Sequence, residues 1–97
     1  MIDYRLLKNA IHYGEKRQLW KLVEEAWELL VAVLVVCIFG KTKKRVDAMV
    51  SEMADVQIVS EQVLYLMQAE AGYVEEKEYK IDRQDRRLKE IQKTEEM

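Results

Sequence analysis

The chain has 97 residues and 49% hydrophobic content, enough for one compact domain over residues 1–97 and too little for two, so any site is built within that domain or between copies of it. Its 18 acidic and 16 basic residues leave a formal charge of −2, without the positive excess that holds a nucleic-acid backbone, so a general DNA or RNA binder is disfavoured. Pro is absent and Gly occurs only three times, at Gly14, Gly40 and Gly72; long stretches free of helix breakers predict an all-α fold, a four-helix bundle.

The first predicted helix covers about residues 3–13 and ends before Gly14. The opening MIDYRLLKNA lacks the basic start, apolar centre and small-residue cleavage site of a signal peptide. With the single Cys37, which has no internal disulfide partner, this sets the expectation of a reducing, cytoplasmic setting.

The second helix, about residues 15–39, is amphipathic in its first half and apolar in every direction from Leu29 to Phe39. The run LLVAVLVVCIF is far shorter than the ~20 residues of a membrane span and has charged residues on both sides, so it is expected to be buried in protein, Cys37 included. A domain this small has little material with which to surround such a helix. A second subunit is therefore expected to complete the bundle, as a homodimer or homotetramer. The third helix is predicted over about residues 43–71, ending before Gly72, and the fourth over about 74–95. Val74, Ile81, Leu88 and Ile91 give the fourth helix a narrow apolar stripe, which predicts a surface helix docked by one edge.

Residues three and four apart on a helix are neighbours, so Lys21, Glu24, Glu25 and Glu28 share one face of the second helix. That face continues through Ala32, Val35, Val36 and Phe39, which carries the acids toward the core. On the third helix Glu52 and Asp55 likewise interrupt a stripe of Ala48, Val56, Val59, Val63 and Leu66. Burying unpaired carboxylates costs several kcal/mol, so a positive group has to offset them. A hard divalent cation suits an all-oxygen donor set: Mg²⁺, with Mn²⁺ as a substitute. The only histidine, His12, is on another helix and no Glu-x-x-His motif occurs, which disfavours a di-iron site. From spacing alone a solvated face, with salt bridges to Lys21 and to bases of the fourth helix, stays open beside the metal site. The apolar continuation of both stripes favours the metal.

The stretch GEKRQLWKLVEEAWEL, residues 14–29, followed by Glu52-Met-Ala-Asp55-Val56, resembles the MazG-like all-alpha nucleoside triphosphate pyrophosphohydrolases, whose pattern is EExxE and, after a gap, ExxD. The resemblance implies a helical bundle assembled as a dimer or pair of dimers. Its reaction would be Mg²⁺-dependent hydrolysis of an NTP or dNTP to the monophosphate and pyrophosphate. By position it implies Glu25, Glu28, Glu52 and Asp55 as metal ligands and Glu24 as their support or the group that orients the attacking water. Gln18 and Lys21 match polar positions that face substrate in the family. Lys80, Arg83 and Arg87 share one face of the last helix and resemble the K-x-x-R pattern that closes short, phage-like members; a plainly solvated charged helix is the alternative.

The basic run of Lys41, Lys43, Lys44 and Arg45 is read first as a complement to a helix end and only second as a phosphate site. Trp20, Trp27, His12 and Tyr13 are candidates to stack on a base, although aromatic residues at helical spacing are more often core. Three rival readings stand beside the main one. They are a phosphoribosyl-ATP pyrophosphohydrolase, less favoured because Asp55 is followed by VQIVSEQV without the histidine typical of that enzyme, a dUTPase-like member of the same superfamily, and a non-catalytic helical interaction module.

Overall fold

The computed structural model describes residues 2–96 as four helices, α1 (Tyr4–Tyr13), α2 (Glu15–Phe39), α3 (Lys43–Leu66) and α4 (Glu70–Glu96). No described helix is long and apolar enough to cross a membrane. Asp3 caps α1 by accepting a 2.8 Å hydrogen bond from the Arg5 backbone N–H, which satisfies one of the first-turn donors a helix leaves open. Gly14 (φ 85°, ψ 168°) and Gly40 (φ 90°, ψ 173°) end α1 and α2 as expected, in a backbone region open essentially to glycine alone.

The basic turn ties α2 to α3. Thr42 caps α3 by accepting from the Arg45 backbone N–H at 3.2 Å, and the Arg45 guanidinium donates back to the Phe39 carbonyl at 2.8 Å. Lys43 pairs with Asp47 at 2.8 Å. Within the run it is Arg45 that acts at the helix ends, satisfying one of the terminal carbonyls of α2.

The third helix stops at Leu66, five residues before the predicted end, and Gly72 lies inside the first turn of α4. The break is a Schellman turn. The Ala69 N–H reaches the Leu64 carbonyl at 2.9 Å and the Gln68 N–H the Tyr65 carbonyl at 3.1 Å, with Gln68 in the left-handed region at φ 55°. Glycine is the usual residue at that position, so a glutamine there gives no sequence signal.

α2 and α3 form a long hairpin, α1 packs against both, and α4 meets α3 alone among the described helices. Ala10, Val59 and Val63 are the buried apolar residues of this small core. Leu29, Val33 and Val36 of α2 are half-buried, but Leu34, Ile38 and Phe39 on its other side are exposed, as is Cys37. The apolar run is therefore buried on one side only within a single chain. The stripe of α4 is uncovered as well: Val74, Ile81, Leu88 and Ile91 are all exposed, and the expected docking finds no partner among the described residues. The chain spans 57 × 36 × 20 Å with a radius of gyration of 17.4 Å. A compact chain of this length has about 13 Å.

Candidate metal centre

The α2–α3 hairpin brings the two acidic motifs face to face. One carboxylate oxygen from each of Glu25, Glu52 and Asp55 lies within 4.8 Å of the others. Glu25 is 6% exposed, Glu52 is half-buried and Asp55 is exposed, so the group sits at the boundary between the core and an open cleft. Glu25 Oε1 lies 3.4 Å from Lys21 Nζ one turn earlier. Glu25 Oε2 and Glu52 Oε2 are both buried with no hydrogen-bond partner among the described residues.

Two buried, unpartnered carboxylate oxygens in one acidic group are costly, because each has lost water and the charges repel. Burial, and then the Glu28 charge, push the Glu25 carboxyl above its ordinary value; the Lys21 hydrogen bond opposes this and Asp55 adds to it. Glu28 is thus near enough to act on Glu25, although its oxygens lie outside the group of three. The donor set is carboxylate throughout, with no His or Cys, which fits a hard divalent cation such as Mg²⁺ or Mn²⁺.

The acids open into a cleft of about 800 Å³. Glu24, Glu25 and Asp55 line it together with Gln18 and Lys21, so two of the expected substrate residues share the cleft with the acids. Gln18 is buried in its wall. Tyr13 and Trp20 also line it, whereas His12 and Trp27 do not. His12 instead packs edge-on against the Tyr13 ring, and Trp27 points away at 65% exposure.

Lys80, Arg83 and Arg87 line a separate groove along α4, with Tyr73, Glu76 and Ile81, and none of them lines the acidic cleft of the same chain. Sequence reading missed Arg17, Asn9 and Gln62, which do line it. Arg17 lies one turn before Lys21 and about 12 Å along the axis from Glu25, and its guanidinium stacks over the Tyr13 ring at 5.4 Å. Gln62 donates to the Leu6 carbonyl at 3.2 Å and pins α1 against α3 as the cleft wall. Continuing the acidic stripes one turn beyond Lys21 and two beyond Asp55 would have found Arg17 and Gln62; Asn9 carries no such signal.

No protein-family model, curated protein or solved structure matches the chain.

Proposed function

We infer that this protein is a Mg²⁺-dependent nucleoside triphosphate pyrophosphohydrolase, cleaving an NTP or dNTP to the monophosphate and pyrophosphate. The observation that carries the reading is the pair of buried, unpartnered oxygens, Glu25 Oε2 and Glu52 Oε2, set beside Asp55 at the edge of a cleft. A structural salt-bridge cluster would pair those oxygens with cations. Here Lys21, the one direct cation among the described residues, takes the other oxygen of Glu25 and is itself half-exposed.

In this reading Glu25, Glu28, Glu52 and Asp55 hold the metal, which when bound neutralises phosphate charge and makes a water more acidic. Lys21 and Arg17 face the phosphate oxygens and replace part of their hydration. Gln18 offers an amide for orientation. Glu24, exposed on the cleft rim, accepts the proton of the attacking water as the α–β anhydride bond breaks and pyrophosphate leaves. The aromatic surface of Tyr13 and Trp20 is of the kind that takes a nucleobase. The working unit is an assembly of copies, a homodimer or homotetramer, and its setting the cytoplasm.

The test is pyrophosphate release from a panel of NTPs and dNTPs, with dUTP and phosphoribosyl-ATP included, with and without Mg²⁺. Wild type should release pyrophosphate only with the metal, and Glu28→Gln should lose at least ~10–100-fold, the loss that even the supporting partners of metal ligands incur. Release without metal, or full activity in Glu28→Gln, would overturn the assignment. Turnover confined to phosphoribosyl-ATP or dUTP would move it to one of those two relatives, and release from nothing would leave a helical interaction module.

A further inference from the structure

Three polar side chains are buried among the described residues, Gln18 (4% exposed), Glu25 (6%) and Gln62 (5%), and all three line the acidic cleft. Glu25 belongs to the carboxylate group, which leaves two amides in the wall with no part in it. Buried amides are normally engaged in hydrogen bonds within the fold. Gln62 is half engaged: its Nε2 donates to the Leu6 carbonyl at 3.2 Å. Because a carbonyl only accepts, that bond fixes which end of the amide is nitrogen. Its Oε1 has no partner among the described residues, nor does either end of the Gln18 amide. The sealed, unpartnered side-chain atoms of the described residues are Glu25 Oε2 and Glu52 Oε2 alone, so the free ends of Gln18 and Gln62 open to the cleft rather than into packing.

Helix geometry sets the two amides at one level. Gln18 lies seven residues before Glu25 on α2, and Gln62 seven residues after Asp55 on α3, each about 10.5 Å along its helix axis. α2 and α3 form an antiparallel hairpin, so both displacements run the same way, toward α1. The cleft thus has carboxylates at one end and free amides two turns away, a distance that a sugar and a base ring bridge. Tyr13 and Trp20 supply flat apolar surface in the same cleft.

We propose that Gln18 and Gln62 read the base of the nucleotide and select bases that carry an exocyclic amino group, adenine, cytosine or guanine, over uracil, thymine and hypoxanthine. This selection rests on the cleft being the nucleotide site, as inferred above. Gln18 offers one donor and one acceptor, which any of these bases can meet. Gln62 offers an acceptor alone and so needs a second N–H from the base. The amino group of adenine or cytosine gives one hydrogen to each glutamine oxygen, while the adjacent ring nitrogen accepts from Gln18 Nε2. Guanine presents its carbonyl, ring N–H and amino group in order to the same three atoms. Uracil and thymine have one N–H between two carbonyls, which turns a base oxygen on Gln62 Oε1, and hypoxanthine has only a C–H there. A site built to pair an N–H rejects the analogue that lacks it, because its own buried group is then left unpaired.

The test is Mg²⁺-dependent pyrophosphate release from CTP against UTP, ATP against ITP and GTP against ITP, each also as the deoxynucleotide. GTP and ITP differ in the amino group alone. For every base turned over, kcat/KM should favour the amino-bearing member of the pair about 10- to 100-fold, the discrimination of one good bidentate contact. Gln62→Met, checked for helicity by circular dichroism, should bring that ratio toward one by lowering the amino-bearing member; a merely structural role lowers both members alike. An oxo base turned over as well as its amino partner overturns the proposal, as does an unchanged ratio in folded Gln62→Met. If that variant does not fold, the wild-type ratios decide.

Binding of AMP, CMP, GMP, UMP and IMP by isothermal calorimetry separates base selection from the reaction. No release from any triphosphate, with the amino-bearing monophosphates bound more tightly, sinks the pyrophosphohydrolase reading and leaves the base selection standing. Release without preference for the amino group overturns the selection and leaves the hydrolysis, and neither release nor selective binding overturns both.

Discussion

Lys21 Nζ lies 3.4 Å from Oε1 of Glu25, while Oε2 of the same carboxylate is buried without a partner. Half of the carboxylate is thus compensated and half is not. The imbalance has consequences for the metal-free protein. With its folded value raised above the ordinary 4.5, mainly by burial and then by Glu28, Glu25 contributes stability that is fully present below 4.5 and lost as pH rises through the folded value. Above its folded value the ionised group is a liability. Glu25→Gln should therefore stabilise the metal-free protein at pH 7 by about 1–3 kcal/mol, the cost of one unsatisfied buried group, and flatten the decline of Tm between about pH 4.5 and 7. Calorimetry across that range decides it; a destabilised variant with an unchanged pH slope would refute the account.

Metal binding should show the opposite pH dependence. Ligands must be deprotonated, so Mg²⁺ competes with the proton on Glu25, and the two effects meet on one atom group. Stabilisation by Mg²⁺ at 100 times its Kd amounts to about 2.7 kcal/mol. That increment should be full at pH 8 and shrink as pH falls toward 4.5, where the raised Glu25 carboxyl holds its proton. Differential scanning fluorimetry with and without Mg²⁺ measures it, and an increment independent of pH would remove Glu25 from the ligand set.

Much of this architecture is legible in the sequence because helical period alone puts Glu25 and Glu28, then Glu52 and Asp55, on the faces that α2 and α3 turn to each other. The termini at Gly14 and Gly40 are equally direct, since their backbone angles exclude other residues. The α3–α4 break is not legible: Gln68 takes the left-handed position that glycine usually fills, and Gly72 lies four residues on, inside α4. Nor does sequence reveal where α4 points, because a stripe such as Val74, Ile81, Leu88 and Ile91 states that a surface needs covering without naming the cover. That is why Lys80, Arg83 and Arg87 share a face but not the cleft.

The same break yields a stability prediction. Gly72 sits in the first turn of α4, with nothing within 4 Å of where a Cβ would stand. Gly72→Ala should therefore stabilise the fold by about 0.5–1 kcal/mol, by restricting the unfolded chain and favouring the helix. Gly40→Ala has equal space but a φ of +90°, so it should cost about 1–3 kcal/mol. Urea denaturation of the two variants gives opposite signs if the helix boundaries are right, and the same sign if Gly72 rather than Gln68 ends α3.

Arg17 and Lys21 lie within the acidic cleft, and a charge-assisted hydrogen bond to phosphate is roughly twice as strong as a neutral one. Arg17→Ala and Lys21→Ala should each raise KM for the triphosphate about tenfold, equivalent to about 1.4 kcal/mol, with kcat affected less. Lys21→Ala should also push the Glu25 carboxyl further up, because the hydrogen bond that lowers it is gone, so its activity should rise toward higher pH than wild type. Arg17→Ala lacks that effect, since Arg17 contacts the Tyr13 ring rather than a carboxylate. Arg83 stacks on the Tyr79 ring at 5.9 Å along a helix that stays off the cleft of its own chain, so Arg83→Ala should change KM less than twofold. A tenfold rise in the Arg83 variant would instead place α4 of a neighbouring copy at the phosphates, and steady-state kinetics on the three variants distinguishes these arrangements.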